Sequence, residues 1–252
     1  GSLVRLDFGH SFAQGRPVLT ILGEAIPNTI VLCGTSLVLV FGLGIGLGVV
    51  SALRRGTALD AGLTVGSLAL YSVPGFWLAL MLILAFAYAW PVLPATGVVA
   101  WDHDFLPWYG RLWDRLSHLI LPAIALGVAP AAGIARYVRA AMIEALAQDY
   151  VRAARARGLS PARVVLGHAL RNAALPLVTL LGLYLPFLLG GSVLIETIFA
   201  WPGMGLLMYS AIDGQDFPLV LGCAVLYTLA VVLGNLLADL LYASVDPRVR
   251  LT

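Results

Sequence analysis

Five apolar runs, each about as long as a bilayer is thick, leave this chain little choice of fold. They are Ile30–Leu53, Gly62–Trp90, Leu119–Ala135, Leu175–Ile195 and Phe217–Val245, and roughly 20 such residues cross a membrane as a helix. With 60% hydrophobic and only 11% charged residues, 252 residues cannot hide this surface in one soluble core. The expectation is an all-α, polytopic membrane protein, because backbone groups in hydrocarbon must be bonded within helices. Residues 1–29 read as an external N-terminal segment and residues 30–252 as the transmembrane domain. The second run contains Ser72-Val73-Pro74-Gly75, where the proline removes one donor and predicts a kink rather than an end. The third run should continue as a helix into the cytoplasm through Arg136 and Arg139. The aromatic loop 91–117, with Trp101, Trp108 and Trp113, fits a segment lying on the membrane surface.

Arginine placement orients the runs. Arg54 and Arg55 follow the first, seven arginines from Arg136 to Arg171 follow the third, and Arg248 and Arg250 end the chain. The loops at 91–117 and 196–216 hold two arginines against six acidic residues. The positive-inside rule therefore places the first group and the C-terminus in the cytoplasm, without conflict between loops. Five spans then put the N-terminus outside, so a first transmembrane helix is expected ahead of Gly1.

All fifteen basic residues are arginine. A P-loop needs a lysine on the β- and γ-phosphates, so if nucleotide drives this protein another subunit binds it. Cys33 and Cys223 lie apart in apolar runs and read as packing residues. His10, His103, His118 and His168 form no i, i+4 pair, and no Ser/His/Asp grouping shares a face. No catalytic, metal or cofactor-binding residue is therefore assigned. A net charge of +2 gives no reason to expect nucleic acid.

The polar residues concentrate in Asp149–Pro176, which carries five arginines between apolar runs. Gly158 is placed to end one helix, Ser160 to cap the next and Pro161 to fill its first turn. The result is a cytoplasmic helix–turn–helix knob. Its small residues Ala153, Ala154 and Ala156 would let a partner approach, and its arginines would meet acidic groups.

These residues resemble the EAA loop of ABC-importer permeases, in the form carried by dipeptide, oligopeptide and nickel permeases. The matching residues are Asp149-Tyr150-Val151-Arg152-Ala153-Ala154-Arg155-Ala156-Arg157-Gly158-Leu159-Ser160, then His168-Ala169-Leu170-Arg171-Asn172-Ala173-Ala174-Leu175-Pro176. The resemblance extends to Leu6–Phe12 with Gly15–Val18, to Ser72–Trp77, to Glu196–Gly205 and to Asp246-Pro247-Arg248. It covers nearly the whole chain and is closest to the "B" permease of the group. Arg152 stands where the general EAA pattern has Glu, as in the peptide-permease branch.

The resemblance implies a type I ABC-importer permease fold in a bacterial inner membrane, with the coupling (EAA) loop at about residues 144–172. It implies half of a translocation path, a homologous second permease, two cytoplasmic ATPases that bind ATP and Mg, and an external binding protein. Peptides are the cargo it favours, with nickel or glutathione as other members' cargoes. It assigns ATPase contact to Arg152, Ala153, Ala154, Arg155, Gly158, Leu159 and Ser160, and the external gate or binding-protein contact to Glu196, Trp201, Pro202 and Gly203. The rival reading is a self-contained secondary transporter or intramembrane enzyme. That class needs charges in mid-span, and these spans nearly lack them.

Three further features concern the spans. Gly42/Gly46 and Gly44/Gly48 are small-x-x-x-small pairs that suit close helix packing, and Pro74 belongs with them as a packing and kink residue. Gly190-Gly191-Ser192 either packs or lines the path. Asn235 and Asp239 lie one turn apart, as a hydrogen-bonding pair or a transport site.

Overall fold

The computed structural model describes the backbone of residues 8–245, and the side chains within it apart from those at 175, 178, 179, 183, 185–191, 238, 239 and 241–245. The helices are α1 (Val18–Leu53), α2 (Ala58–Ser72), α3 (Gly75–Ala89), α4 (Trp108–Ala147), α5 (Asp149–Ala156), α6 (residues 161–173), α7 (Leu175–Ile198), α8 (Met204–Asp213) and α9 (Phe217–Val245). Among the described residues, α1, α4 and Phe217–Leu237 of α9 are each long and apolar enough to cross a membrane, and α2 with α3 forms a broken fourth candidate. Helix α7, over the fourth apolar run, is 24 residues long.

Three boundaries differ from expectation, each for a local reason. Helix α1 begins at Val18 rather than Ile30 and carries Pro27 inside it. Ile21, Leu22 and Ala25 recur at helical spacing and are buried, and that packing outweighs the one hydrogen bond Pro27 removes. Helix α4 begins at Trp108, so the end of the 91–117 segment is helical rather than loop. Its buried stripe is Asp114, His118, Leu121 and Ala125; because two members are polar, a search for apolar residues starts the helix too late. At Pro74 the helix stops rather than kinks. Val73 and Pro74 are both extended, and Pro74 is the residue before α3, not one within a span. Residues preceding a proline are pushed out of the helical region, which explains the clean break.

The chain divides into two compact units. One comprises residues up to Leu37, Pro74–Leu126 and Leu185–Leu233; the other comprises Val38–Val73, Gly127–Tyr184 and residues from Gly234. The first is built round Phe8, Val18, Leu22, Met204, Leu219 and Cys223. The second is built round Val40, Ile134, Val138, Met142, Ala169 and Leu177.

Glycine packing in α1 is one-sided. A Cβ on Gly44 would lie 2.6 Å from Ile134, and one on Gly48 2.6 Å from the Ala135 carbonyl and from Val138. These two let α1 press against α4. Gly42 and Gly46 meet nothing within 4 Å, because they lie on a different side of the helix. Asn235 is exposed, and the surroundings of Gly190, Gly191 and the Asp239 side chain lie outside what is described.

Candidate functional site

The polar stretch folds as the knob its punctuation predicts. Asp149 opens α5, where a carboxylate suits the positive end of the helix dipole. Gly158 ends it in the left-handed region at φ +77°. The Gly158 N–H donates to the Arg155 carbonyl at 2.9 Å and the Leu159 N–H to the Ala154 carbonyl at 3.4 Å, so the last carbonyls are satisfied by a glycine-dependent closing turn. Pro161 then starts α6. Ser160 sits at the capping position, but its hydroxyl makes no capping hydrogen bond; only its carbonyl engages, accepting from Val164 N–H at 3.0 Å. From Val164 to Ala169 the helix widens to a π turn.

The knob has its own small core of Val151, Ala154 and Val164, with Leu146 and Leu159 packed against it. Two residues of the expected contact set belong to it. Ala154 is 5% exposed and Leu159 is half-buried, so these two hold α5 to α6. Arg152, Ala153, Arg155, Gly158 and Ser160 are exposed, together with Ala156, Arg157 and Pro161. Arg152 pairs with Asp149 at 2.9 Å on the same exposed surface. The outer face is thus cationic and lined by small residues.

In the same unit, an ion pair ties the chain leading into the knob to the α1–α2 turn. Arg139 of α4 donates to both Asp60 carboxylate oxygens, at 2.7 and 2.8 Å. Ser51 at 2.6 Å and the Gly56 N–H at 3.0 Å complete the acceptors' partners. In the sequence Arg139 marks only the cytoplasmic end of α4. Its fork-to-fork partner is 79 residues away, and no local pattern points to it.

The stretch Glu196–Gly205 is not an exposed surface. Glu196 is 0% exposed. Its carboxylate accepts from Thr29 Oγ1 at 2.9 Å, Gly205 N–H at 2.6 Å and Leu206 N–H at 3.0 Å. Two of these donors are the free N–H groups of the first turn of α8, so the glutamate caps that helix. Thr29 Oγ1 in turn accepts from Met204 N–H at 2.7 Å. Trp201 is buried, its Nε1 donating to the Asn28 carbonyl at 2.9 Å. A Cβ on Gly203 would fall 2.5 Å from Thr29 Oγ1, and one on Gly205 2.6 Å from the Val193 backbone. Of the four residues expected at an external gate, Glu196, Trp201 and Gly203 are therefore interior, and Pro202 alone is exposed. Pro202 lines a cleft of about 370 Å³ with Gln14, Glu24, Asn28 and Ser210.

Two other polar clusters lie in this unit. Asp216 precedes α9, takes the Ser11 hydroxyl and the Ala13 N–H at 3.2 Å, and accepts from Leu219 N–H at 3.4 Å. Burial pushes its pKa up, but these donors outweigh burial and hold it below the usual carboxylate range. Asp114 holds His103 Nδ1 at 2.6 Å and His118 Nδ1 at 3.2 Å, all three buried. Two of the four histidines thus share one carboxylate; the missed signal was the i, i+4 spacing of Asp114 and His118. Among the described residues no group of three side chains is arranged to hold a metal.

Three comparisons bear on this arrangement. The family described as "Binding-protein-dependent transport system inner membrane component" matches residues 44–251. The oligopeptide transport system permease protein AppB of Bacillus subtilis is 41% identical over 99% of this chain and 78% of its own length. The di/tripeptide transport system permease protein DppB of Pseudomonas aeruginosa is likewise 41% identical over 99% and 78%. The dipeptide permease DppB of Escherichia coli K12 is 38% identical over 97% and 77%. Among solved structures, a chain of the inward-facing MetNI methionine ABC transporter superposes with a TM-score of 0.70 at 21% identity, covering 90% of this chain and 97% of that one. That likeness concerns the fold.

Proposed function

Because the chain belongs to the binding-protein-dependent transport system inner membrane components, we propose that its knob, α5 with α6, is the surface through which cytoplasmic ATPases drive it. The protein is a permease subunit of an ATP-driven peptide importer, with the type I importer fold. The observation that carries the coupling role is the division of the knob into an apolar inside and a cationic outside. Val151, Ala154 and Val164 make it a rigid body, while Arg152, Arg155 and Arg157 face outward. A rigid knob seated in a moving partner transmits displacement, whereas a floppy loop absorbs it.

In this reading two ATPases bind ATP and Mg, close on each other and carry the knobs of this chain and a homologous second permease with them. The force enters α4 at Ala147 and reaches the α1–α2 turn through Arg139 and Asp60. The path between the two permeases then alternates its access. An external binding protein delivers the cargo, for which di- and oligopeptides are the class the relatives' names support. The C-terminus and the knob share the cytoplasmic side, and the loops at 91–117 and 196–216 face outward.

Reconstitution tests this. In proteoliposomes containing this chain, its second permease, both ATPases and the binding protein, peptide uptake should require ATP. The chain alone should hydrolyse none. Uptake by the chain without the ATPases would overturn the proposal.

A further inference from the structure

Two arginines one turn apart on α4 differ in their partners. Arg139 is matched by Asp60, but Arg136, one turn earlier on α4, has no acidic partner among the described residues. It faces a cavity of about 470 Å³ in the second unit, lined by Tyr71, Gly133, Ile134, Tyr137, Leu180 and Tyr184. Its guanidinium lies 5.9 Å from the centroid of the Tyr71 ring. Gly133, Arg136 and Tyr137 share one side of α4, by i, i+3 and i+4 spacing. Gly133 lies at the floor, where a Cβ would make ordinary contacts with Tyr71 at 3.5 Å and with the Tyr184 hydroxyl at 3.6 Å. Tyr184 is held edge-on by Phe41, with ring centroids 5.9 Å apart.

A cation within a span normally faces a protein interior or a water-filled cavity and is a functional candidate; Arg136, exposed just past the end of the third apolar run, faces such a cavity. A guanidinium held over a ring at this distance keeps its N–H fork for another partner, and that fork matches a carboxylate in two parallel hydrogen bonds. Phenol hydroxyls add neutral donors beside it. The volume falls within the range of small-ligand sites.

We propose that Arg136, with Tyr71, Tyr137 and Tyr184 round it, forms an anion site on the translocation path that receives the C-terminal carboxylate of a peptide in transit. This rests on the peptide-importer reading. The same fork would accept the phosphate of a lipid headgroup, so the test separates the two.

The assembled importer, without binding protein, is placed in phosphatidylcholine nanodiscs, and saturation-transfer NMR measures binding of tri-alanine and of tri-alanine amide. Wild type should bind tri-alanine about tenfold or more tighter than the amide, the scale of a lost charge-assisted hydrogen bond. Arg136→Gln should bind both equally weakly, and Arg136→Lys should restore part of the preference. Equal binding of tri-alanine by wild type and Arg136→Gln, or no binding by wild type, overturns the site. So does a preference lost only when anionic phosphatidylglycerol is added, since the lipid then owns the arginine. Peptide uptake with binding protein is measured in parallel. Uptake that persists while the NMR preference is absent sinks the site alone, and wild type without peptide uptake sinks the importer reading with it.

Discussion

The knob and the Glu196 cradle both carry charge beside glycine, and they use it in opposite ways. In the knob the arginines point out, the apolar side chains point in, and nothing lies within 4 Å of a Cβ on Gly158. In the cradle the carboxylate is fully buried, satisfied by Thr29, Gly205 and Leu206, and a Cβ on either glycine would collide. Exposed charge on a rigid support is free to meet a partner. Buried charge with every oxygen engaged is committed to the fold. Substitutions in the cradle should therefore act on assembly, and those in the knob on coupling.

The largest effect is expected in the cradle. Glu196→Ala leaves the α8 N–H groups and Thr29 without an acceptor, at a cost of about 3 kcal/mol or more. Gly205→Ala forces backbone apart at Val193, about 1–3 kcal/mol. Both should reduce the folded fraction recovered on size-exclusion after detergent extraction. Normal recovery with lost binding-protein docking would return Glu196 to the surface role.

Next comes the Asp60–Arg139 pair. Asp60→Ala or Arg139→Ala should lower thermal stability in detergent, and the swap Asp60→Arg with Arg139→Asp should recover part of it. Removing one partner of a buried pair costs about 3–5 kcal/mol, and Arg139 is 29% exposed on its side chain, so the lower end or less applies.

The knob should respond differently. Gly158→Val places a β-branched residue at φ +77°, a strain of about 1–2 kcal/mol confined to the turn. Membrane insertion should persist while ATP hydrolysis continues without uptake. Arg155→Ala should shift stability by less than about 0.5 kcal/mol, yet slow uptake. Equal loss of folding and transport in these variants would erase the distinction between the two regions.

The smallest effect concerns pH. Asp216 has a depressed pKa when folded, so its stabilisation is present above the unfolded value of about 3.9 and is lost as pH falls through the lower folded value. The melting-temperature gap between wild type and Asp216→Asn should stay constant from pH 7 to 5, then close below about pH 4. A gap already closing at neutral pH would reverse the sign.

The sequence made the knob legible because its signals are local. A glycine two residues before Ser-Pro and a run of alanines and arginines follow from backbone preference alone. The same local reasoning failed for Ala154, because which side of an eight-residue helix faces inward depends on Val164 across the turn. It failed more completely for the cradle. Glu196 and Gly203 read as a surface loop until Thr29, 167 residues away, supplies the hydroxyl that buries the carboxylate. Asp60 with Arg139 and Ser11 with Asp216 were illegible for the same reason, since each is a long-range pair whose members look like ordinary polar residues. Hydropathy found the long apolar helices but missed Val18–Thr29 and Trp108–His118, where burial falls on polar as well as apolar residues.

The coupling claim is tested most directly by cysteine cross-linking along α5 in the assembled importer. The native Cys33 and Cys223 are both buried, so background should be low. Single cysteines at Arg152, Arg155 and Ala156 should cross-link to the ATPase, with a yield that changes when ATP is bound, and cysteines at Val151 and Ala154 should not. Cross-linking to the ATPase from none of the exposed positions, or equally from buried and exposed ones, would contradict the account.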